Sequence, residues 1–226
     1  MTILPHFSRN IGSISPAEQD TLGISQIAVI GCGGLGGYVI ELLARAGVGL
    51  LHVFDPDVFT ESNCNRQLYA LCETLGRNKA EVAAQRVRSI YPGADAVAYP
   101  VDFRLSAEFP KLDCQVVVDC LDDVAARRDL ARICTIKQVP LVHGAVNGWC
   151  GQVGVQLPGH DLLTHLYPEQ ARAQATPSVL ASTVACVASI EACETIKLLL
   201  KHSSNLHRGW LYIDMQHGDF LINELA

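Results

Sequence analysis

The apolar run Ile27-Ala28-Val29-Ile30 ends in a cluster of glycines, and an amphipathic run over 38–46 follows at once. Strand, tight turn and helix is the order this predicts. Gly31, Gly33 and Gly36 fit the G-x-G-x-x-G spacing, with Gly34 and Leu35 between the last two. One glycine makes the sharp turn, one lets a phosphate approach the backbone, and one lets helix and strand pack closely. Free N–H groups at the helix start, aided by the helix dipole, favour an anion there. A second apolar run over 50–54 delivers Asp55 at the spacing where a carboxylate takes ribose hydroxyls. A nucleotide site is the chemistry these residues point to. The structural alternative for Asp55 is to cap a turn, a common fate for Asp after a strand.

The elements that must hold such a site read outward from it. Ser15, Pro16 and Glu18 spell a helix start ahead of the first strand. Gly47 is placed to end the helix that follows the glycine turn. An irregular polar segment over 56–72 carries Asp57, Asn63, Asn65, Arg66 and Gln67, and an Ala-rich helix over 79–90 opens on Lys79. Strands are predicted over 96–101, 115–120 and 140–143. The middle one is an unbroken apolar run that suits a buried parallel strand and carries Asp122 and Asp123 to its carboxyl end. Asp122 is also placed to cap the helix predicted over 124–137. A strand over 151–157, a polar loop over 158–176, a long apolar helix over 179–200 and a hairpin of 210–214 with 220–224 complete the chain. The fold class is α/β: a Rossmann-like three-layer fold whose largely parallel sheet is extended by antiparallel strands in the C-terminal half. One domain over 1–226 is expected, with 1–25 an N-terminal arm and helix and 26–226 the sheet core.

Composition narrows the partners. The 226 residues are 49% hydrophobic and 18% charged, enough for a packed core. A formal charge of −6 without a basic run argues against nucleic acid and against an anionic membrane surface. Residues 1–14 lack the apolar core of a signal peptide. Glu191 and Glu194 make the long apolar run a buried core helix and not a membrane span. The nine cysteines are odd in number and irregular in spacing, which fits reduced thiols in a cytoplasmic protein. No C-x-x-C pair occurs, so no structural zinc is expected. Cys64 and Cys150 lie near the predicted site, and packing is the expected role for both.

Taken in order, these residues resemble the ThiF/MoeB/HesA family of ubiquitin-activating-enzyme-like adenylyltransferases. Phe7-Ser8-Arg9-Asn10 is similar to its N-terminal arginine motif and Gly31-Cys32-Gly33-Gly34-Leu35-Gly36 to its nucleotide loop. Asp55-Pro56-Asp57 and Asn63-Cys64-Asn65-Arg66-Gln67 resemble its D-x-D and N-x-x-R-Q patterns, and Gly76-Arg77-Asn78-Lys79-Ala80 its G-x-x-K-A helix start. Asp119-Cys120-Leu121-Asp122-Asp123 resembles D-x-x-D-N, with Asp123 in place of the usual Asn. His143-Gly144-Ala145 and Gly151-Gln152 are similar to a later signature. The absent C-x-x-C pairs resemble the family's zinc-free branch. The loop over 158–176 has no cysteine for a further transfer step.

The resemblance implies an ATP site that activates a carboxylate as an acyl adenylate. In it Arg66 and Lys79 contact the phosphates, Asn63 positions them, Asp122 holds Mg²⁺ and Asp55 takes the ribose. Asp57, Gln67, Cys120 and Leu121 line the nucleotide. Arg9 reaches the γ-phosphate of a neighbouring subunit, which implies a homodimer. The acceptor it implies is the C-terminal Gly of a small ubiquitin-like sulfur carrier with a Gly-Gly tail. A small-molecule or tRNA-borne carboxylate is the alternative acceptor. An NAD(P)-dependent oxidoreductase and a non-catalytic scaffold are the alternatives of another class. Read singly, Arg66 and Lys79 could also be ordinary surface cations.

Overall fold

The computed structural model describes residues 4–91, 93–168 and 178–225. Its strands are β1 Gln26–Ile30, β2 Leu50–Phe54, β3 Asp95–Tyr99, β4 Val116–Asp119, β5 Leu141–Asn147, β6 Cys150–Gln156, β7 Gly209–Asp214 and β8 Asp219–Glu224. Its helices are α1 Pro16–Ile24, α2 Gly34–Ala46, α3 Lys79–Ile90, α4 Val124–Lys137, α5 Leu162–Leu166 and α6 Ala181–Leu199. They build one eight-stranded sheet in the order β3-β2-β1-β4-β5-β6-β7-β8. Strands β1 to β5 pair in parallel, and β6, β7 and β8 extend the sheet antiparallel.

The parallel strands are Val- and Ile-rich because both their faces are covered. On one face Val29, Val118 and Val142 meet apolar residues of α2, α3 and α6. On the other, Ala28, Ile30, Val117 and Leu141 meet α4 and α5. In β1 alone Ile27, Val29 and Ile30 are almost fully buried, each contributing about 2 kcal/mol. The order 3-2-1-4 reverses direction between β1 and β4, and open α/β sheets bind ligands at the carboxyl ends of strands beside such a reversal.

Two glycines make this junction. A Cβ on Gly36 would stand 1.8 Å from the Gly31 carbonyl oxygen, so α2 can start this close to β1 only without a side chain there. Gly31 has φ +97°, and a Cβ would stand 2.6 Å from the Cys120 carbonyl oxygen at the end of β4. The capping box of α1 at Ser15 and Glu18 and the left-handed Gly47 after α2 are as the sequence predicts.

Several elements differ from expectation. Helix α2 starts at Gly34, four residues early, because the glycine turn is itself its first turn. Strand β5 continues through Gly144 to Asn147 and forms a hairpin with β6. Gly144 stays extended there because the Glu191 carboxyl group fills the place of a Cβ, 2.3 Å away. The cap of α4 is Asp123, whose Oδ2 accepts the Ala126 N–H at 2.7 Å, and Asp122 stands before it. The expected loop over 158–176 contains α5, and its stretch 169–176 lies outside the described residues. Cys64 is exposed and so does not pack. Glu191 and Glu194 are buried, and among the described residues no helix is long and apolar enough to cross a membrane.

Candidate functional site

The site forms where β1, β2 and β4 end. After Ile30 the chain turns through residues 31–33 into α2, whose N-cap is Gly33. First-turn N–H groups have no intrahelical partner, and no side chain caps them. The other long helices of the parallel half differ: Asn78 caps α3 and Asp123 caps α4. The uncapped start, with its partial positive charge, is where an anion fits.

Asp55 braces this turn from β2. Its Oδ2 accepts the Cys32 N–H at 2.7 Å and its Oδ1 accepts the Asp57 N–H at 2.9 Å. Its turn-capping role is therefore real, and each oxygen keeps acceptor capacity for a ribose hydroxyl. Burial pushes its pKa up, opposed by the Cys32 N–H and by Lys79. Lys79 is the first residue of α3, and its Nζ donates to Asp57 Oδ2 at 3.1 Å. The lysine is 7% exposed, so it is not an ordinary surface cation. Asn78, missed as a site-builder, donates from Nδ2 to the Asp55 and Asp57 carbonyl oxygens, both at 3.0 Å. An Asn just before a helix is a legible cap signal, but its second task depends on tertiary contact.

The segment after β2 closes the other side. Asn63 Oδ1 accepts the Thr60 N–H at 3.0 Å, and the Asn63 carbonyl accepts from Arg66 and Gln67 N–H. Arg66 is folded back on this loop, donating to the Ser62 carbonyl and to Asn65 Oδ1. Gln67 lies against Gly33, its Nε2 3.3 Å from where a Cβ would stand. Its Oε1 is buried without a partner among the described residues. An unpaired buried acceptor beside an uncapped helix start fits a bound polar ligand such as a nucleotide.

From β4, Cys120 and Leu121 lie against Gly31, and the Cys120 Cβ is 3.4 Å from the Cβ position of Gly36. Asp122 is the next residue, exposed, with no hydrogen bond or ion pair found among the described residues. A single open carboxylate beside a phosphate cradle suits Mg²⁺, which takes one or two carboxylates together with phosphate oxygens and water. Among the described residues no group of three or more His, Cys, Asp or Glu is arranged to hold a metal.

Arg9 is not part of this convergence. The Phe7 ring lies against Gly47 and edge-on to Tyr91, and Asn10 donates to the Ala46 carbonyl. That is the far end of α2, whose 13 residues span about 20 Å.

An uncapped Gly-rich helix start braced by an acid at the sheet's reversal is the arrangement of a nucleotide-binding α/β protein. The chain belongs to the ThiF family, whose model it matches over residues 7–225. It is 35% identical to the SAMP-activating enzyme E1 of Haloferax volcanii over 226 aligned residues, covering 94% of this chain and 82% of that one. It is 33% identical to the sulfur carrier protein ThiS adenylyltransferase of Escherichia coli over 203 residues, covering 85% and 80%. Its fold matches the crystal structure of E. coli MccB with ATP at a TM-score of 0.83 and 19% identity, over 99% of this chain and 72% of that one. The protein is an adenylyltransferase, an activity that implies ATP as its nucleotide.

Proposed function

We propose that the protein activates the C-terminal carboxylate of a small ubiquitin-like sulfur-carrier protein, giving an acyl adenylate and pyrophosphate. The observation that carries this is the uncapped turn at Gly33, with Gln67 against it and Asp55, which accepts the Cys32 N–H, beside the Lys79–Asp57 pair. In the reaction a carboxylate oxygen bonds to the α-phosphorus as the bond to the bridging oxygen breaks. Negative charge then grows on the departing pyrophosphate. Lys79, Arg66 swung off its loop and the N–H groups at the start of α2 oppose that charge, while Asn63 and Gln67 hold the phosphates in line. Asp55 takes the ribose. Mg²⁺ held by Asp122 would neutralise phosphate charge.

The anchoring of Phe7 and Asn10 at the far end of α2, with the exposed Arg9 between them, supports donation of Arg9 to the site of a neighbouring subunit, as arginine fingers are supplied in trans elsewhere. A homodimer follows from that reading. A protein acceptor is supported by the outer strand of the sheet. Phe220, Leu221 and Ile222 on β8 are 50%, 57% and 49% exposed, an apolar edge suited to another protein's surface. An oxidoreductase would give Arg66, Lys79 and Asp122 no task.

ATP–pyrophosphate exchange tests the reaction. A carrier ending in Gly-Gly should drive exchange, and the same carrier lacking that tail should not. Stronger exchange with a small carboxylate or a tRNA would replace the acceptor assigned here. Asp122→Ala should cut exchange by about 10²-fold or more, with an unchanged melting temperature. Full activity in that variant would remove Asp122 from the mechanism.

A further inference from the structure

Among the described residues Asp122 makes no hydrogen bond or ion pair, yet the peptide just before it is clamped by buried side chains. Asp119 Oδ1 accepts the Leu121 N–H at 3.1 Å. Arg127, on the first turn of α4, donates from Nε to the Leu121 carbonyl at 3.0 Å, and its Nη2 donates to the same oxygen. Both polar groups of Leu121 are thus tied to side chains. Those side chains are in turn held. Arg127 Nε lies 4.0 Å from Asp119 Oδ2, and that oxygen accepts from His143 Nδ1 at 2.7 Å. Arg127 is 7% exposed, and Asp119 and His143 are fully buried.

The hub of the cluster is the Tyr167 hydroxyl. It accepts from Arg127 Nη1 at 2.6 Å and from Gln152 Nε2 at 2.8 Å, and both of these nitrogens can only donate. The phenol's own proton must then point at its third neighbour, His143 Nε2, 3.0 Å away. This fixes the imidazole as the neutral form with hydrogen on Nδ1, which donates to Asp119. Burial lowers the His143 pKa despite the Asp119 carboxylate, in keeping with a neutral ring. Arg128 completes the attachment by donating to the Tyr167 and Pro168 carbonyl oxygens.

We infer that Asp119, Arg127, His143, Gln152 and Tyr167 are positioning residues that hold Leu121 rigid and so aim the Asp122 carboxylate at the metal–nucleotide complex. The inference rests on the proposed metal role of Asp122. None of the five touches ATP in this account. They act as the outer partners of a metal-binding carboxylate act elsewhere, by restricting where it can point. The chain of bonds runs from α5 through β5, β6 and α4 to β4, so the site's acid is held by elements distant in sequence.

The test measures Mn²⁺ binding by electron paramagnetic resonance, with a non-hydrolysable ATP analogue on the intact protein. Analogue affinity without metal and melting temperature are measured alongside. Tyr167→Phe removes the hub and should weaken Mn²⁺ by about tenfold, with metal-free analogue affinity unchanged. Gln152→Ala removes one donor to the same phenol and should move Mn²⁺ affinity the same way by less. Unchanged Mn²⁺ affinity in both variants would overturn the inference, as would an equal fall in metal-bound and metal-free nucleotide affinity. Asp122→Asn separates the two levels. If it weakens Mn²⁺ and Tyr167→Phe does not, only the positioning network falls. If Asp122→Asn leaves Mn²⁺ binding intact, the metal role fails and the network's purpose with it.

Discussion

Two aspartates end the strands on either side of β1, and their first oxygens do the same work. Asp55 after β2 and Asp119 at the end of β4 each accept the N–H two residues on, at 2.9 and 3.1 Å. They part at the second oxygen. That of Asp55 meets the backbone N–H of Cys32 in the glycine turn, with Lys79 close by. That of Asp119 meets the His143 ring and lies near the buried Arg127 guanidinium. Asp55 is consequently held by small backbone dipoles and keeps room for a ligand, at the expense of a raised pKa from burial. Asp119 is enclosed by side chains that order the next peptide. In the proposed site the same strand-end residue faces substrate in one place and is scaffold in the other, according to what its outer oxygen faces.

Exchanging each acid for its amide tests this contrast. Asp119→Asn leaves Arg127 in the interior without its charge partner and should cost about 3 kcal/mol of stability, read as a lowered denaturation midpoint. A loss confined to activity would show that Asp119 is not scaffold. Asp55→Asn relieves a buried charge but can keep only one of the two backbone hydrogen bonds, its amide NH₂ facing the other N–H, so stability should fall by about 1 kcal/mol, less than for Asp119→Asn. ATP affinity, read by calorimetry, should fall by about tenfold, the value of one hydrogen bond to a charged acceptor.

The smallest effect belongs to Glu191, whose carboxyl group lies over Gly144 and is raised in pKa by burial first and by Asp119 second. The folded protein holds this proton more tightly than the unfolded chain does. Stability from this group is therefore complete below the unfolded pKa of about 4.5 and is lost as pH rises toward the folded value. Glu191→Gln should remove that slope, raising stability near pH 8 relative to the parent and leaving it unchanged near pH 4 in paired melts. A parallel shift at both pH values would mean that the group is charged in the folded state.

Much of this was legible in the sequence because it is local. The glycine turn, the starts of α3 and α4 and the C-cap at Gly47 follow from a few adjacent residues whose backbone preferences agree. The sheet class followed from alternating strands and helices. What escaped is tertiary. Gly144 reads as a break in a strand until Glu191, on α6, is seen to occupy its missing side chain. Asp122 reads as the cap of α4 from its place in the sequence, and only geometry gives the task to Asp123 and leaves Asp122 open. The cluster around Tyr167 gathers residues from separate elements, and no spacing in the chain announces it.

The outer strand carries a hazard as well as an opportunity. An uncovered edge with three consecutive bulky apolar residues is a template for stacking like on like, the route to insoluble fibrils. Asp219 and Glu224 bound that stretch. If two copies met antiparallel about the middle of β8, Asp219 of one would oppose Glu224 of the other at both ends, and the repulsion would drive them apart. The two acids thus act as gatekeepers, keeping a sticky ribbon in solution without hiding it.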